Sequence, residues 1–243
     1  KVVELQGRDY IPGASVRGSY STRTQVGYPI GAFWGYEIDG VFASDEEVMN
    51  YPVQQAIMAP GYFKYRDIDG NGVIDEADKT YLGSPMPALT GGLDFGFLWK
   101  NLGFSIGFYT QIGNKVLNAK RMNRDVFTDG NYDLDFYQNA WRPDRPSQTY
   151  PSAAAYNTAF IQQANSFFVE DASYLRIQNI QVGYTFRNLR QISSMRISFT
   201  AQRPFTFFRY NGFTPEVSGS PIASGVDMST YPMQGIYTLG LKL

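Results

Sequence analysis

The sequence predicts an all-β fold, in which antiparallel strands form part of the wall of a large transmembrane β-barrel and long loops join them on one side. Three observations lead there. Runs of period two recur along the chain, the connections between them alternate between very short and very long, and the composition favours strands and turns. Of 243 residues, 16% are aromatic, with 18 Tyr, 18 Phe and 24 Gly, a balance that suits pleated strands and tight turns better than helices. The longest uncharged span, 146–169, is interrupted by Gln, Ser, Asn and Thr, so no segment reads as a transmembrane helix. Barrel strands alternate and keep overall hydropathy low, so a membrane barrel stays open.

Six candidate strands follow in order. In SVRGSYSTRTQV, Val16, Gly18, Tyr20, Thr22, Thr24 and Val26 alternate with Arg17, Ser19, Ser21, Arg23 and Gln25. The clearest pair comes next: Leu93, Phe95, Phe97 and Trp99 share one face, and so do Leu102, Phe104, Ile106 and Phe108. A two-residue turn at Lys100-Asn101 joins these into one apolar face, opposite Asp94, Gly96, Ser105, Gly107 and Tyr109. In YLRIQNIQVGYTF, Leu175 and Ile177 precede Ile180, Val182, Tyr184 and Phe186; the apolar parity flips near Gln178-Asn179, the mark of a bulge. Ile197, Phe199 and Ala201 make a fifth strand, and Tyr237, Leu239, Leu241 and Leu243 a sixth.

The gaps from Val26 to Leu93, Tyr109 to Ser173 and Gln202 to Ile236 are long, whereas those from Lys100 to Leu102 and Phe186 to Arg196 are short. Transmembrane barrels have this asymmetry, with short turns at one rim and long loops at the other. Trp99, Tyr184 and Phe186 sit beside the short turns, where an interfacial aromatic girdle would lie. Half-buried strands of a soluble sandwich show the same period, which leaves a secreted calcium-dependent carbohydrate-binding β domain as the alternative. Six strands cannot close a lipid-spanning barrel, and an open sheet in lipid would leave backbone groups unpaired. The chain, which opens on Lys1, is therefore expected to be a fragment or processed part of a larger barrel.

Charge narrows the partners. The formal net charge is −1, with no basic field to attract nucleic acid. His and Cys are both absent, which removes His-dependent triads, thiolate zinc sites and disulfides. The neighbouring acids Asp133/Asp135 and Glu170/Asp171 are poor glycosidase pairs, because adjacent carboxylates seldom flank a scissile bond from opposite sides. No catalytic role is expected. SDEEV reads as a helix start capped by Ser44, with Glu47 at the third position. NAWRPDRPSQTYP, with Trp141 and Tyr150, reads as a packed loop.

One acidic stretch stands apart. In DIDGNGVIDEAD, Asp67, Asp69, Asn71, Asp75 and Asp78 fall at positions 1, 3, 5, 9 and 12, with Val73 offering its carbonyl at position 7 and Gly72 the sharp turn at position 6. Ca²⁺ takes six to eight oxygens, and this spacing can supply them. The competing reading is an empty turn whose charge is balanced by Lys64, Arg66 and Lys79.

Four longer segments, taken together and in order, resemble the C-terminal part of SusC/RagA-like TonB-dependent transporters. They are GYPIGAFWGYEIDGVFASDEEV from Gly27, YFKYRDIDGNGVIDEADKTYLGSPMPALTGGLDFGFLWKNLGFSIGF from Tyr62, EDASYLRIQNIQVGYTF from Glu170, and TPEVSGSPIASGVDMSTYPMQGIYTLGLKL from Thr214. The resemblance implies that residues 1–243 are the C-terminal portion of an outer-membrane barrel, with long loops at about 27–92, 110–172 and 203–235. It implies import of glycan or peptide oligomers with a SusD-like lipoprotein. The rest of the barrel, its plug and the segment that meets TonB would lie outside these residues, and outer-membrane lipid would surround the wall. The family pattern differs at QRPFTFF, where Arg203 and Pro204 are expected to end a strand.

Overall fold

A computed structural model describes residues 1–54, 57–124, 132–156, 158, 163–189 and 192–243. It divides into two compact units: residues 1–86, 115–170 and 217–229 form the first, and 87–114, 171–216 and 230–243 the second.

The first unit is built on a four-stranded antiparallel sheet of β1 (Tyr10–Pro12), β2 (Thr22–Gln25), β3 (Ala32–Tyr36) and β4 (Lys79–Gly83), in that spatial order. Its inner face carries Phe33, which is fully buried, together with Thr22 and Thr24. Threonines can sit there because their hydroxyls are satisfied: Thr22 Oγ1 donates to the Ile222 carbonyl at 2.8 Å, and Thr24 Oγ1 accepts from the Gly31 amide at 3.0 Å. Phe33, Phe63, Tyr65, Ile74, Phe136 and Tyr156 belong to one aromatic-rich core. The unit's short helices are Asp45–Met49, Ala119–Arg124, Leu134–Asn139 and Ala153–Tyr156 among the described residues. Ser44 caps the first of them, accepting from the Glu47 amide at 3.3 Å, while Glu47 Oε2 accepts from the Ala43 amide at 2.8 Å.

The second unit is an open five-stranded antiparallel sheet of β5 (Leu89–Trp99), β6 (Leu102–Ile112), β7 (Tyr174–Leu189), β8 (Ile192–Phe208) and β9 (Ile236–Lys242), in chain order. Trp99 pairs with Leu102, so Lys100-Asn101 is the two-residue turn, with Lys100 at φ 53°. The expected short connection from Phe186 to Arg196 includes 190–191, which lie outside the described residues. Along β7 the register skips Gln178, since Gly107 opposes Asn179 while Phe108 opposes Ile177. That bulge is what flips the apolar parity.

Two expectations are corrected. The barrel sheet has five strands from this chain rather than six, because 15–26 does not run straight. Arg17 and Gly18 take positive φ, 51° and 82°, and fold Ser15–Val16 back on Ser19–Tyr20; Thr22–Gln25 then joins the first unit. β8 also does not stop at Arg203-Pro204. It continues to Phe208, because a register shift sets Arg203, at φ 50°, and Pro204 opposite Gln178, so no ladder bond is asked of the proline nitrogen.

Among the described residues, no helix is long and apolar enough to cross a membrane.

Candidate functional site

The acidic loop is shaped by its own side chains. Asp67 accepts the Gly70 amide on Oδ1 at 2.7 Å and the Gly72 amide on Oδ2 at 2.8 Å. Asp69 Oδ1 accepts from the Asn71 amide at 3.1 Å, and Asn71 Oδ1 from the Val73 amide at 2.7 Å. Gly72 at φ 83° gives the bend that an L side chain would resist. The chain curls until one carboxylate oxygen each from Asp67, Asp69 and Asp78 lies within 4.8 Å of the others.

The loop's far end is fixed more firmly. Val73–Ile74 runs parallel to Val53–Gln54, and Ile74 is fully buried in the core. The Gln54 side chain ties this end to the next strand, donating to the Phe63 carbonyl at 3.1 Å and accepting from the Tyr65 amide at 2.8 Å. Asp78 is buried yet satisfied, since its oxygens accept from the Ile68 and Asp75 amides at 2.7 and 2.8 Å. Asp75 caps the turn Glu76–Asp78 and accepts from the Ala77 amide at 2.8 Å. The structure thus groups Asp67, Asp69 and Asp78, and each of these, like Asn71 and Asp75, also accepts at least one backbone amide of the loop.

Charge balance bears on the two readings of this loop. Lys64 pairs with Glu47 at 2.5 Å, Arg66 with Glu37 at 2.8 Å and Asp39 at 3.4 Å, and Lys79 with Glu76 at 2.7 Å. All three cations are engaged by acids outside the grouped carboxylates. The Gly72 amide, with Gly70 and others, holds the Asp67 carboxyl below its ordinary range, so it stays ionised in neutral solution. Hard carboxylate and carbonyl oxygens are the donors that Ca²⁺ prefers.

The other acids have structural partners. Asp135 accepts from the Tyr150 hydroxyl at 2.6 Å, and Glu170 from Asn118 Nδ2 at 2.9 Å. Both lie beside the buried Arg121 guanidinium, at 3.4 and 3.6 Å, which stacks over Phe167 at 4.5 Å. The sequence offered these carboxylates as the neighbouring pairs Asp133/Asp135 and Glu170/Asp171. Their shared cation was not legible, because Arg121 is 14 residues from Asp135 and 49 from Glu170 in sequence.

The second candidate feature is the outer face of the five-stranded sheet. One row across it reads Phe97, Phe104, Val182, Phe199 and Leu239. The adjacent row, pointing to the other side, reads Gly96, Ser105, Gln181, Thr200 and Thr238. The apolar side is uncovered: Leu93 is 66% exposed, Phe205 56% and Leu239 78%. Tyr184 and Phe186 meet edge to face at 4.8 Å near the short turns, and Lys100 lies over the Trp99 ring at 5.2 Å.

A sheet apolar on one side and polar on the other, with five strands in this order, has known counterparts. The RagAB peptide transporter matches 91% of this chain with a TM-score of 0.68 at 22% identity, over 23% of its own chain. The RagAB peptide importer in its open-open state matches 98% with a TM-score of 0.67 at 21% identity. No family model matches. The TonB-dependent receptor P3 of Formosa agariphila is 29% identical over the whole chain, and the TonB-dependent receptor SusC of Bacteroides thetaiotaomicron is 31% identical over 73% of it. The chain belongs with the SusC/RagA-like TonB-dependent receptors. It spans 25% of the length of receptor P3 and 17% of SusC. The five-stranded sheet of this SusC/RagA-like chain is accordingly a stretch of barrel wall, and the proteins it matches are receptors and transporters rather than enzymes.

Proposed function

We propose that this chain supplies one sector of wall and an extracellular loop unit to an outer-membrane importer of oligomeric nutrients. The observation that carries the reading is the exposed apolar row from Phe97 to Leu239, backed by a small polar row. Water does not tolerate an apolar sheet face of that extent, whereas lipid on one side and an aqueous lumen on the other require it. β5 and β6 are each 11 residues long, matching the 9–11 that a tilted strand needs to cross the hydrocarbon core. A secreted glycan-binding sandwich would instead lay a second sheet over the same residues.

For transport the support is that RagAB is a peptide transporter and SusC a TonB-dependent receptor; for calcium it is the acidic loop alone. The nutrient is an oligosaccharide or peptide, a SusD-like lipoprotein hands it over, and TonB drives import through a plug outside these residues. Calcium completes the loop unit: Asp67, Asp69, Asn71, Asp75, Asp78 and the Val73 carbonyl would hold it. Its role is structural, fixing one loop at the rim. None of these residues is assigned catalysis.

Fractionation of cells making the full-length protein should place it in the outer membrane. Removing its gene should abolish growth on one oligomer class and spare growth on the monomer. A soluble location, or unchanged growth on every oligomer, would refute the reading.

A further inference from the structure

The outer face of the β1–β4 sheet carries rings where an exposed strand face ordinarily carries hydrophilic side chains. The pairings Tyr10 with Gln25, Pro12 with Arg23, and Trp34 with Tyr81 put these residues on the side opposite the buried Thr22, Thr24 and Phe33. There the Arg23 guanidinium is sandwiched, 3.9 Å from the Tyr10 ring centre and 4.3 Å from that of Trp34. Tyr28 braces the stack, perpendicular to Trp34 at 5.4 Å and tilted against Tyr81 at 5.4 Å. Two rings packed against the guanidinium restrict it, and its N–H groups are left to hydrogen-bond a partner.

Within the fold that partner is weak. Arg23 Nη1 donates to Gln25 Oε1 at 3.4 Å, and among the described residues no carboxylate forms an ion pair with Arg23. The nearby acid, Glu76, is held by Lys79 at 2.7 Å, and Lys79 also reaches Ser19 Oγ at 3.3 Å. Tyr10, Tyr20, Arg23, Trp34, Glu76 and Lys79 line a cleft of about 250 Å³. Tyr20, 61% exposed, stands at its edge. The volume is below the roughly 300–1,000 Å³ of drug-sized pockets and suits a single unit of a longer chain.

We propose that this cleft is a subsite for one carboxylate-bearing unit of an oligomer, a uronate or a peptide carboxylate. The planar Arg23 fork matches a carboxylate in two parallel hydrogen bonds. One uncompensated positive charge suits a monoanion, and Glu76 disfavours a dianion such as phosphate. Tyr20, whose ring is exposed, offers a face to the apolar side of the bound unit. The inference takes from the importer reading only that nutrient oligomers reach this unit.

The test is ligand-observed saturation-transfer NMR on the full-length receptor in detergent. Glucuronate is compared with glucose, and N-acetyl-glycylglycine with its amide. At least one acid should bind while its neutral counterpart does not, and which acid binds assigns the source. Arg23→Gln should weaken that binding roughly tenfold to a hundredfold, the scale of a charge-assisted hydrogen bond. Arg23→Lys should restore it only in part, because an ammonium cannot form the fork. Tyr20→Ala, at an exposed ring, should weaken it severalfold and decides the matter if the Arg23 variants do not fold. Equal binding of acid and neutral forms, absence of binding, or indifference to both positions would overturn the proposal. Carboxylate binding in a receptor that imports no oligomer would instead refute the importer reading and uphold the subsite.

Discussion

Asp78 accepts two backbone amides with its buried carboxylate and still offers an oxygen to the group made with Asp67 and Asp69. One residue therefore secures the loop and serves as a candidate ligand. Asp67 and Asp69 are less buried than Asp78, and they too hold the loop's turns through the Gly70, Gly72 and Asn71 amides. Calorimetric titration of the protein with Ca²⁺ should give saturable heat in the range of extracellular sites, roughly 10⁻⁴ to 10⁻³ M. The Asp67→Ala/Asp69→Ala double variant should give none, and equal heats would remove calcium from the picture. The pH dependence has a definite sign. The folded Asp67 carboxyl titrates below its ordinary value of 3.8, so its contribution is complete above about pH 4 and is lost as pH falls through the lowered folded value. Calcium heat should therefore hold from neutrality down to about pH 4 and be lost as pH falls below that.

At the scale of elements, the wall depends on small residues as much as on large ones. A Cβ at Gly107 would collide with the side chains of Asp94 and Asn179, and one at Gly183 with Arg196. Glycine on the polar face thus makes room for neighbouring polar groups. The opposite face should meet lipid, and the absence of native Cys makes that measurable. Cysteines at Phe95 and Phe104 should resist a water-soluble thiol reagent in intact membranes, while one at Ser105 should react. The reverse pattern would contradict the assignment. Leu93→Arg, near the middle of β5, should destabilise the barrel by about 2–4 kcal/mol, read as a shift in urea unfolding from lipid vesicles.

Considered whole, the chain combines a wall with a loop unit that has its own core. Burial pushes the phenols of Tyr36 and Tyr65 upward, and it raises that of Tyr51, with help from Asp39, to about 12. A raised folded value means that stability is present in full below the ordinary 10.0 and is lost as pH rises through the folded value. The near-ultraviolet circular dichroism of the loop unit should therefore persist to about pH 10 and fade between there and pH 12. If the calcium loop presents a docking surface, the Asp67→Ala/Asp69→Ala receptor, at matched surface abundance, should recover less of its lipoprotein partner on co-purification. Unchanged recovery would take the loop out of the interface.

The sequence by itself determined the wall. Period-two runs place Leu93 to Trp99 and Leu102 to Phe108 on one face, and the parity flip at Gln178 located the bulge, because strand geometry is local and repeats every two residues. The loop's local turns were legible for the same reason, since Asp69 and Asn71 each accept the backbone amide two residues on. Only the tertiary structure decided where Ser15 to Val26 goes. Its alternation fits a wall strand equally well, and the positive φ at Arg17 and Gly18 hands Thr22–Gln25 to another sheet. Likewise only the fold brings Arg121 to Asp135 and Glu170, and Arg23 between Tyr10 and Trp34. Such groupings depend on which strands become neighbours, and that is settled by burial of the shared core rather than by any pattern within a strand.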